Sequence, residues 1–281
     1  MKQALLKEEA NMIRRFLLRT IFNAHSGHPG GSLSSVEVVT ALYFDIMRID
    51  PSRPAWSERD RFIMSKGHAS ALWYTVLAKR GYFDLDELDT FRKISSRLQG
   101  HPDMRKTPGV DMTTGSLGQG LSAGVGIALS SKIKKTDFKT FVLLGDGELN
   151  EGQIWEAAMA ASRFKLNNLF AIIDHNKLQL DGPTEEIMPL EPLSAKWRSF
   201  NWNVFEVAGN DMDAVTKKLR HITDMSKDNV MPNLLIAHTT KGYGVGFMEN
   251  KLEWHGKVIC KEEFDRAIRS LEEECFEDDS M

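Results

Sequence analysis

Two apolar runs, each ending in a polar residue, set an interval that restricts this chain more than any other feature. Phe141-Val142-Leu143-Leu144 leads into Gly145-Asp146-Gly147, Leu169-Phe170-Ala171-Ile172-Ile173 leads into Asp174-His175-Asn176, and Asn176 lies thirty positions after Asp146. A strand, a crossover helix and a parallel strand together need roughly thirty residues. The spacing therefore predicts that Asp146 and Asn176 end neighbouring strands and face one crevice. A carboxylate and an amide carbonyl there are hard oxygen ligands, suited to a small divalent cation that completes its octahedron with phosphate oxygens and water. Such a site calls for a diphosphate. Gly147 is expected to let backbone approach the phosphates, Gly145 to ease the turn off the strand, and Gln153 to Phe164 to begin a helix whose N-terminal amides favour negative charge. A bare Gly-Asp-Gly also suits an ordinary strand-to-helix turn with a surface Asp. The second polar residue, one crossover away, favours the metal.

Bulk properties narrow the function classes. Lys plus Arg number 36 against 39 for Asp plus Glu, a net charge of -3, so no global basic field exists to gather nucleic acid. The 281 residues suffice for a single large α/β domain, 1–281, with a well-buried core. Only Cys260 and Cys275 are present, without a Cys-x-x-Cys pattern, which fits a reducing cytoplasm. The start, Met1 to Ala10, mixes charges among its apolar residues and lacks the hydrophobic core of a signal peptide. No run is long and apolar enough to span a membrane, so neither a membrane nor a nucleic acid is expected as a partner.

Along the chain, Leu5 to His25 places Ile13, Phe16, Leu17 and Phe22 at helical spacing, and Gly27-His28-Pro29-Gly30-Gly31 breaks that helix. Ser34 or Ser35 is positioned to cap a second helix through Val38, Leu42 and Phe44 to Met47. Arg61 to Ser65 reads as a short buried strand turning at Gly67-His68 into a helix from Ala69 to Arg80. Phe83 to Pro108 reads as surface helix and loop, and Gly115 to Gly126 as a glycine-rich helix packed closely on a sheet. Val204 to Val207 and Leu234 to Ala237 read as further strands, separated by a helix from Met212 to Asp224. Strands alternating with helices predict an α/β fold, a parallel sheet with helices on both faces. Residues 262–281 read as a terminal helix and an acidic tail that frays.

Of eight histidines, four touch a glycine in a predicted turn: His28, His68, His101 and His255. Loops at the carboxyl ends of parallel strands bind ligands, and imidazole titrates near neutrality, so this set suits proton transfer and hydroxyl recognition. Zinc on His25 and His28 is the competing reading, without a thiol or carboxylate of suitable spacing beside them. His175, His221 and His238 read as structural. Gly242-Tyr243-Gly244-Val245-Gly246 opens no apolar helix, so it reads as a loop over the site carrying His255 rather than a dinucleotide fingerprint. Lys241 before it is placed to contact a phosphate, but a solvated lysine is the favoured reading.

At these residues a family resemblance enters. Gly145 through Asn176 resembles the thiamine diphosphate signature, and Gly145-Asp146-Gly147-Glu148-Leu149-Asn150-Glu151-Gly152 resembles its transketolase form. Ser26-Gly27-His28-Pro29-Gly30, Ser65-Lys66-Gly67-His68-Ala69, Gly100-His101-Pro102 and Thr113-Thr114-Gly115-Ser116-Leu117-Gly118-Gln119-Gly120 resemble transketolase segments, with Ser116 where many full-length members have Pro. The resemblance implies a thiamine-diphosphate-binding fold in which Asp146, Asn176 and the carbonyl of Leu178 hold Mg²⁺ or Ca²⁺ against the cofactor. It implies further cofactor contacts from His68, Gly115, Ser116, Leu117, Gly145, Gly147, Glu148, Leu180 and His255, and catalytic roles for His28, His68, His101 and His255. Glu151 and Glu156 fall, by the same resemblance, at a contact between chains.

The resemblance spans residues 5 to 260 and covers the diphosphate-binding part of a transketolase. It implies a separate C-terminal subunit carrying the aminopyrimidine-binding domain and its activating glutamate, two copies of each chain in a heterotetramer, and transfer of a two-carbon ketol unit between sugar phosphates. Deoxyxylulose-phosphate synthase and the α chain of a 2-oxo-acid dehydrogenase share Gly-Asp-Gly and a later Asn, but Pro29 after His28, Gly100-His101-Pro102 and the Thr113 to Gly120 loop resemble transketolase more closely than either. A non-catalytic, cofactor-binding assembly subunit is the reading from another class.

Overall fold

The computed structural model describes residues 3–278. Asp279, Ser280 and Met281, the end of the tail expected to fray, lie outside the described residues. Helix α1 (Gln3–Ala24) buries Leu6, Ala10, Ile13, Leu17 and Ile21 along one stripe, the three-and-four spacing of an amphipathic helix. The segment expected only as a break opens a short helix, α2 (Pro29–Leu33), and the helix expected after Ser34 or Ser35 is α3 (Val36–Ala41) continued by a π turn over Leu42–Ile46. Ser35 occupies the N-cap of α3, yet its side chain makes no capping bond. Its hydroxyl is engaged by Lys66 Nζ instead, at 2.6 Å.

Strand β1 (Arg61–Met64) runs through the turn Gly67–Ala69 into α4 (Ser70–Arg80), followed by loop and a 3₁₀ turn, Leu85–Thr90. Helix α5 (Gln119–Lys134) opens four residues later than the glycine-rich stretch suggests, because Gly115 (φ +146°) and Gly118 (φ +84°) are not helical. It does pack tightly on the sheet: a Cβ on Gly124 would lie 2.6 Å from Val142 Cγ2. Strand β2 (Thr140–Gly145) passes through a 3₁₀ turn, Gly147–Asn150, into α6 (Gly152–Arg163) and then β3 (Leu169–His175). The backbone beside Asp146 is therefore that turn, and not the first turn of α6. One-turn α7 (Thr184–Ile187), α8 (Leu193–Ser199), β4 (Asn203–Ala208), α9 (Met212–Met225) and β5 (Asn233–His238) follow, and α10 (Lys261–Asp278) closes the chain.

All strand pairs are parallel, in the order β1-β2-β3-β5-β4. Side chains alternate across the sheet as strand geometry requires. Phe62, Phe141, Leu143, Phe170, Ile172 and Leu235 join one core with α1, α3, α4, α9 and α10. Ile63, Val142, Leu144, Ala171, Ile173 and Ile236 join the other with α5, α6 and α8. The connections β1 to β2, β2 to β3 and β3 to β4 step one way across the sheet and place α5, α6 and α8 on one face. The connection β4 to β5 steps back and places α9 on the opposite face, as right-handed crossovers dictate. Among the described residues no helix is long and apolar enough to cross a membrane.

Candidate active site

The loops at the carboxyl ends of β1, β2, β3 and β5 converge. Gly145 stands opposite Asp174 in the β2–β3 register and His175 opposite His238 in β3–β5, so the thirty-residue interval does bring Asp146 and Asn176 to adjacent strand ends. Asp146 is 2% exposed; its Oδ1 accepts from Gly147 N at 2.8 Å and its Oδ2 from Lys177 N at 2.6 Å. Asn176 Oδ1 accepts from Leu178 N at 3.1 Å. The two side chains thus grip adjacent residues of one backbone stretch, Lys177 and Leu178, with Lys177 in the left-handed region (φ +63°) allowing the chain to double back.

Burial, reinforced by neighbouring Asp174, pushes the Asp146 carboxyl up to about 7. Among the described residues the basic group within ion-pair reach is His175, whose Nδ1 is 3.8 Å from Oδ2. Lys66 and Lys241 act on it through space, and a carboxylate desolvated to this degree suits a cation in direct contact. Among the described residues no three His, Cys, Asp or Glu side chains form a metal-binding group. A donor set of one carboxylate, one amide oxygen and one main-chain carbonyl has the chemistry that suits a hard divalent ion whose remaining ligands come from a phosphate and water.

The two glycines flanking Asp146 differ in what surrounds them. A Cβ on Gly147 would sit 2.8 Å from Gln179 Cβ, so its bareness also accommodates a side chain of this protein. Gly145 has no left-handed φ and a Cβ there would meet only Lys66, at an ordinary 3.7 Å, and Glu148, at 3.9 Å. The turn does not demand it; the space a Cβ would fill borders Lys66 and Glu148. Glu148, 2% exposed, accepts from Ser65 Oγ, from Gly118 N at 2.9 Å and from Gly145 N at 3.0 Å, binding three loops together.

The imidazoles of His28, His68 and His255 form a triangle, with ring centroids 5.2, 5.4 and 5.2 Å apart. His101 lies across Gly115, whose added Cβ would be 3.1 Å from its ring. Burial, with Arg92 next, lowers His28 to about 4; burial, with Lys241 next, lowers His255 to about 4. His68 is driven well below its ordinary value by burial and Lys66, and His101 is lowered by burial and Arg92. All four rings are neutral at pH 7, able to accept a proton or a hydroxyl hydrogen bond.

Gly115 and Leu117 are half-buried and Ser116 is exposed. Their loop is pressed onto the His68 turn, since a Cβ on Gly67 would lie 2.6 Å from Thr114 Oγ1 and 2.8 Å from Gly115 N. Leu178 is half-buried, bridged to Pro183. Leu180 is 64% exposed. Glu151 and Glu156 are exposed. His25 and His28 part company, His25 packing on Phe22 and His28 on His68 and His255. His175 is buried, with Nε2 3.4 Å from Glu191; His221 meets Phe205 edge-on, and His238 pairs with Glu206 at 2.8 Å.

Lys241 corrects an expectation. It is 2% exposed, not solvated, with Nζ 3.1 Å from His255 Nδ1, and burial lowers its pKa to about 8. Its stem fits because Gly30 lacks a Cβ, which would come within 3.1 Å of Lys241 Cγ. Lys66, Arg92 and Asp174 are further residues that sequence reasoning passed over. Lys66 and Asp174 lie inside motifs singled out for their histidines and Asn176, and a charged residue at the end of a wholly apolar strand was the available signal.

The family described as "Transketolase, thiamine diphosphate binding domain" matches residues 6–276. An apulose-4-phosphate transketolase subunit of Phocaeicola vulgatus is 46% identical over 268 residues, 95% of this chain and 93% of that protein. The 6-deoxy-6-sulfo-D-fructose transketolase subunit SqwG of a Clostridium species is 45% identical, with 96% and 97% covered. The crystal structure of transketolase from Campylobacter jejuni superposes with a TM-score of 0.90 at 32% identity over 97% of this chain, which spans only 43% of that longer protein.

Proposed function

This chain belongs to the transketolase family, by its thiamine diphosphate binding domain, and from that premise we propose that it is the diphosphate-binding subunit of a two-chain transketolase. The enzyme transfers a two-carbon ketol unit from a ketose phosphate to an aldose phosphate. A separate polypeptide supplies the aminopyrimidine-binding domain. Relatives of matching length, each named as one subunit of a transketolase, support that division, and two copies of each chain form the assembly, with Glu151 and Glu156 at a contact between chains. A reducing, cytoplasmic compartment suits Cys260, an exposed free thiol.

The observation that carries the reading is the pair of strand-end oxygens, Asp146 and Asn176, tied to one stretch of backbone beside a cluster of neutral imidazoles. Thiamine diphosphate, when bound, supplies the carbon nucleophile and the electron sink for carbon–carbon bond cleavage. Asp146, Asn176 and the Leu178 carbonyl hold Mg²⁺ or Ca²⁺ against its diphosphate, which anchors and orients it. Gly115, Ser116 and Leu117 present main chain to its rings. The space at Gly145 admits a phosphate edge, and Glu148 fixes that loop. His28, His68, His101 and His255, kept neutral by burial and nearby cations, exchange protons with the sugar hydroxyls and carbonyl and hold them in place.

The test is reconstitution with the partner chain, assaying ketol transfer with ketose phosphate and with pyruvate as donors. Transfer that requires both chains, thiamine diphosphate and a divalent ion is the expected result. Full activity of this chain alone, or pyruvate as the preferred donor, contradicts the proposal.

A further inference from the structure

Asp174, the residue opposite Gly145 in the sheet, has no part in the chemistry above, yet it is the hub of the site's polar interior. It is 1% exposed, and its carboxylate accepts from Ser34 Oγ at 2.7 Å, Lys66 Nζ at 2.6 Å, Asn176 Nδ2 at 3.0 Å and Thr239 Oγ1. Lys66, also 1% exposed, donates further to Gly31 O at 2.7 Å and to Ser35 Oγ at 2.6 Å. One buried ion pair therefore joins the segment after His28, the turn before His68, the end of β3 and the segment before Lys241.

We propose that Asp174, held in place by Lys66, is a positioning residue that locks the Asn176 side chain with its oxygen toward the metal position. This inference rests on the cofactor reading above. The two ends of an amide are nearly equal in size, so packing alone does not select between them. An ionised carboxylate only accepts hydrogen bonds, and with Asp174 on one side the amide nitrogen must face it. The oxygen is then left on the other side, where it accepts from Leu178 N, next to the backbone that Asp146 grips. The flipped amide would set oxygen against the Asp174 carboxylate and NH₂ against both the Leu178 N–H and a cation. Removing an outer partner of this kind typically weakens metal binding by about 10–100-fold.

The test is Mn²⁺ uptake, followed by electron paramagnetic resonance on the two-chain complex with thiamine diphosphate, across the cycle D174N, N176A and D174N/N176A. A carboxamide at position 174 presents either end, so both orientations of Asn176 become acceptable. D174N should weaken Mn²⁺ binding by about 10–100-fold, and the double variant should bind no more weakly than N176A, to within about twofold, because Asp174 acts through Asn176. A merely structural residue would instead give additive losses. Should D174N fail to fold with Lys66 unpaired, K66M/D174N removes both charges, and the same loss of Mn²⁺ in a complex with a cooperative melt is expected. Unchanged Mn²⁺ affinity in D174N, or additive losses in the cycle, overturns the positioning role. A wild-type complex that takes up no Mn²⁺ overturns the cofactor reading and this role with it.

Discussion

Gly67→Ala tests how the site is assembled, because the space for one methyl group there is closed by backbone. The new Cβ would lie 2.6 Å from Thr114 Oγ1, 2.8 Å from Gly115 N and 3.0 Å from Thr114 C. The hydroxyl can rotate aside, but the two main-chain atoms cannot. The 113–117 loop must retreat from the His68 turn by roughly half an ångström, and overpacking of this kind costs about 1–3 kcal/mol. For a chain of this size each kcal/mol shifts the melting temperature by about 2–4 °C, so a fall of about 2–12 °C is expected. The displaced loop is also the one proposed to carry the cofactor rings. A tenfold weaker affinity removes about 1.4 kcal/mol of ligand stabilisation, and the rise in melting temperature on adding thiamine diphosphate with Mg²⁺ should shrink accordingly. Gly126→Ala is the control: its Cβ meets nothing within 4 Å in the middle of α5, and alanine there should gain about 0.5–1 kcal/mol. A Gly67→Ala protein that melts with wild type and keeps the full cofactor shift would refute the account of how these loops pack.

Proton NMR should find His28 and His255 titrating near 4 in the folded protein, against the ordinary 6.5. The unfolded chain binds those protons first, so stability from these rings is intact above pH 6.5, falls as pH drops from 6.5 toward 4, and levels off below. Rings that titrate at 6.5 would contradict the burial argument. Lys241→Met removes a cation beside His255, and the midpoint of that ring should rise from about 4 in the same titration. Glu148→Gln turns an NH₂ toward either Gly118 N or Gly145 N, leaving one buried N–H without an acceptor. Urea unfolding should show a loss of about 1–3 kcal/mol, and no loss would show that those bonds do not hold the loops.

What could be read in the sequence was what repeats locally. The paired apolar runs before Asp146 and Asn176, and the helical spacing of Ile13 and Leu17, report strand and helix directly, and the β2–β3 neighbourhood follows from the interval between them. The glycine-flanked histidines were legible because turns have their own residue chemistry, and three of the four meet in one ring triangle. Convergence of distant loops was not legible. Whether Lys241 is solvated depends on Gly30, more than two hundred positions earlier, and that the Ser35 hydroxyl serves Lys66 instead of a helix cap depends on a turn 31 residues away. That Gly147 also makes room for Gln179, more than thirty positions later, was equally out of reach.

The central claim is most directly tested by anomalous diffraction from crystals of the two-chain complex grown with thiamine diphosphate and Mn²⁺. The account predicts a single strong peak at each site within about 2.0–2.4 Å of an Asp146 carboxylate oxygen, Asn176 Oδ1 and the Leu178 carbonyl, with diphosphate oxygens completing the shell. A bound diphosphate with its metal held by other residues, or a peak that these three oxygens do not share, would contradict it.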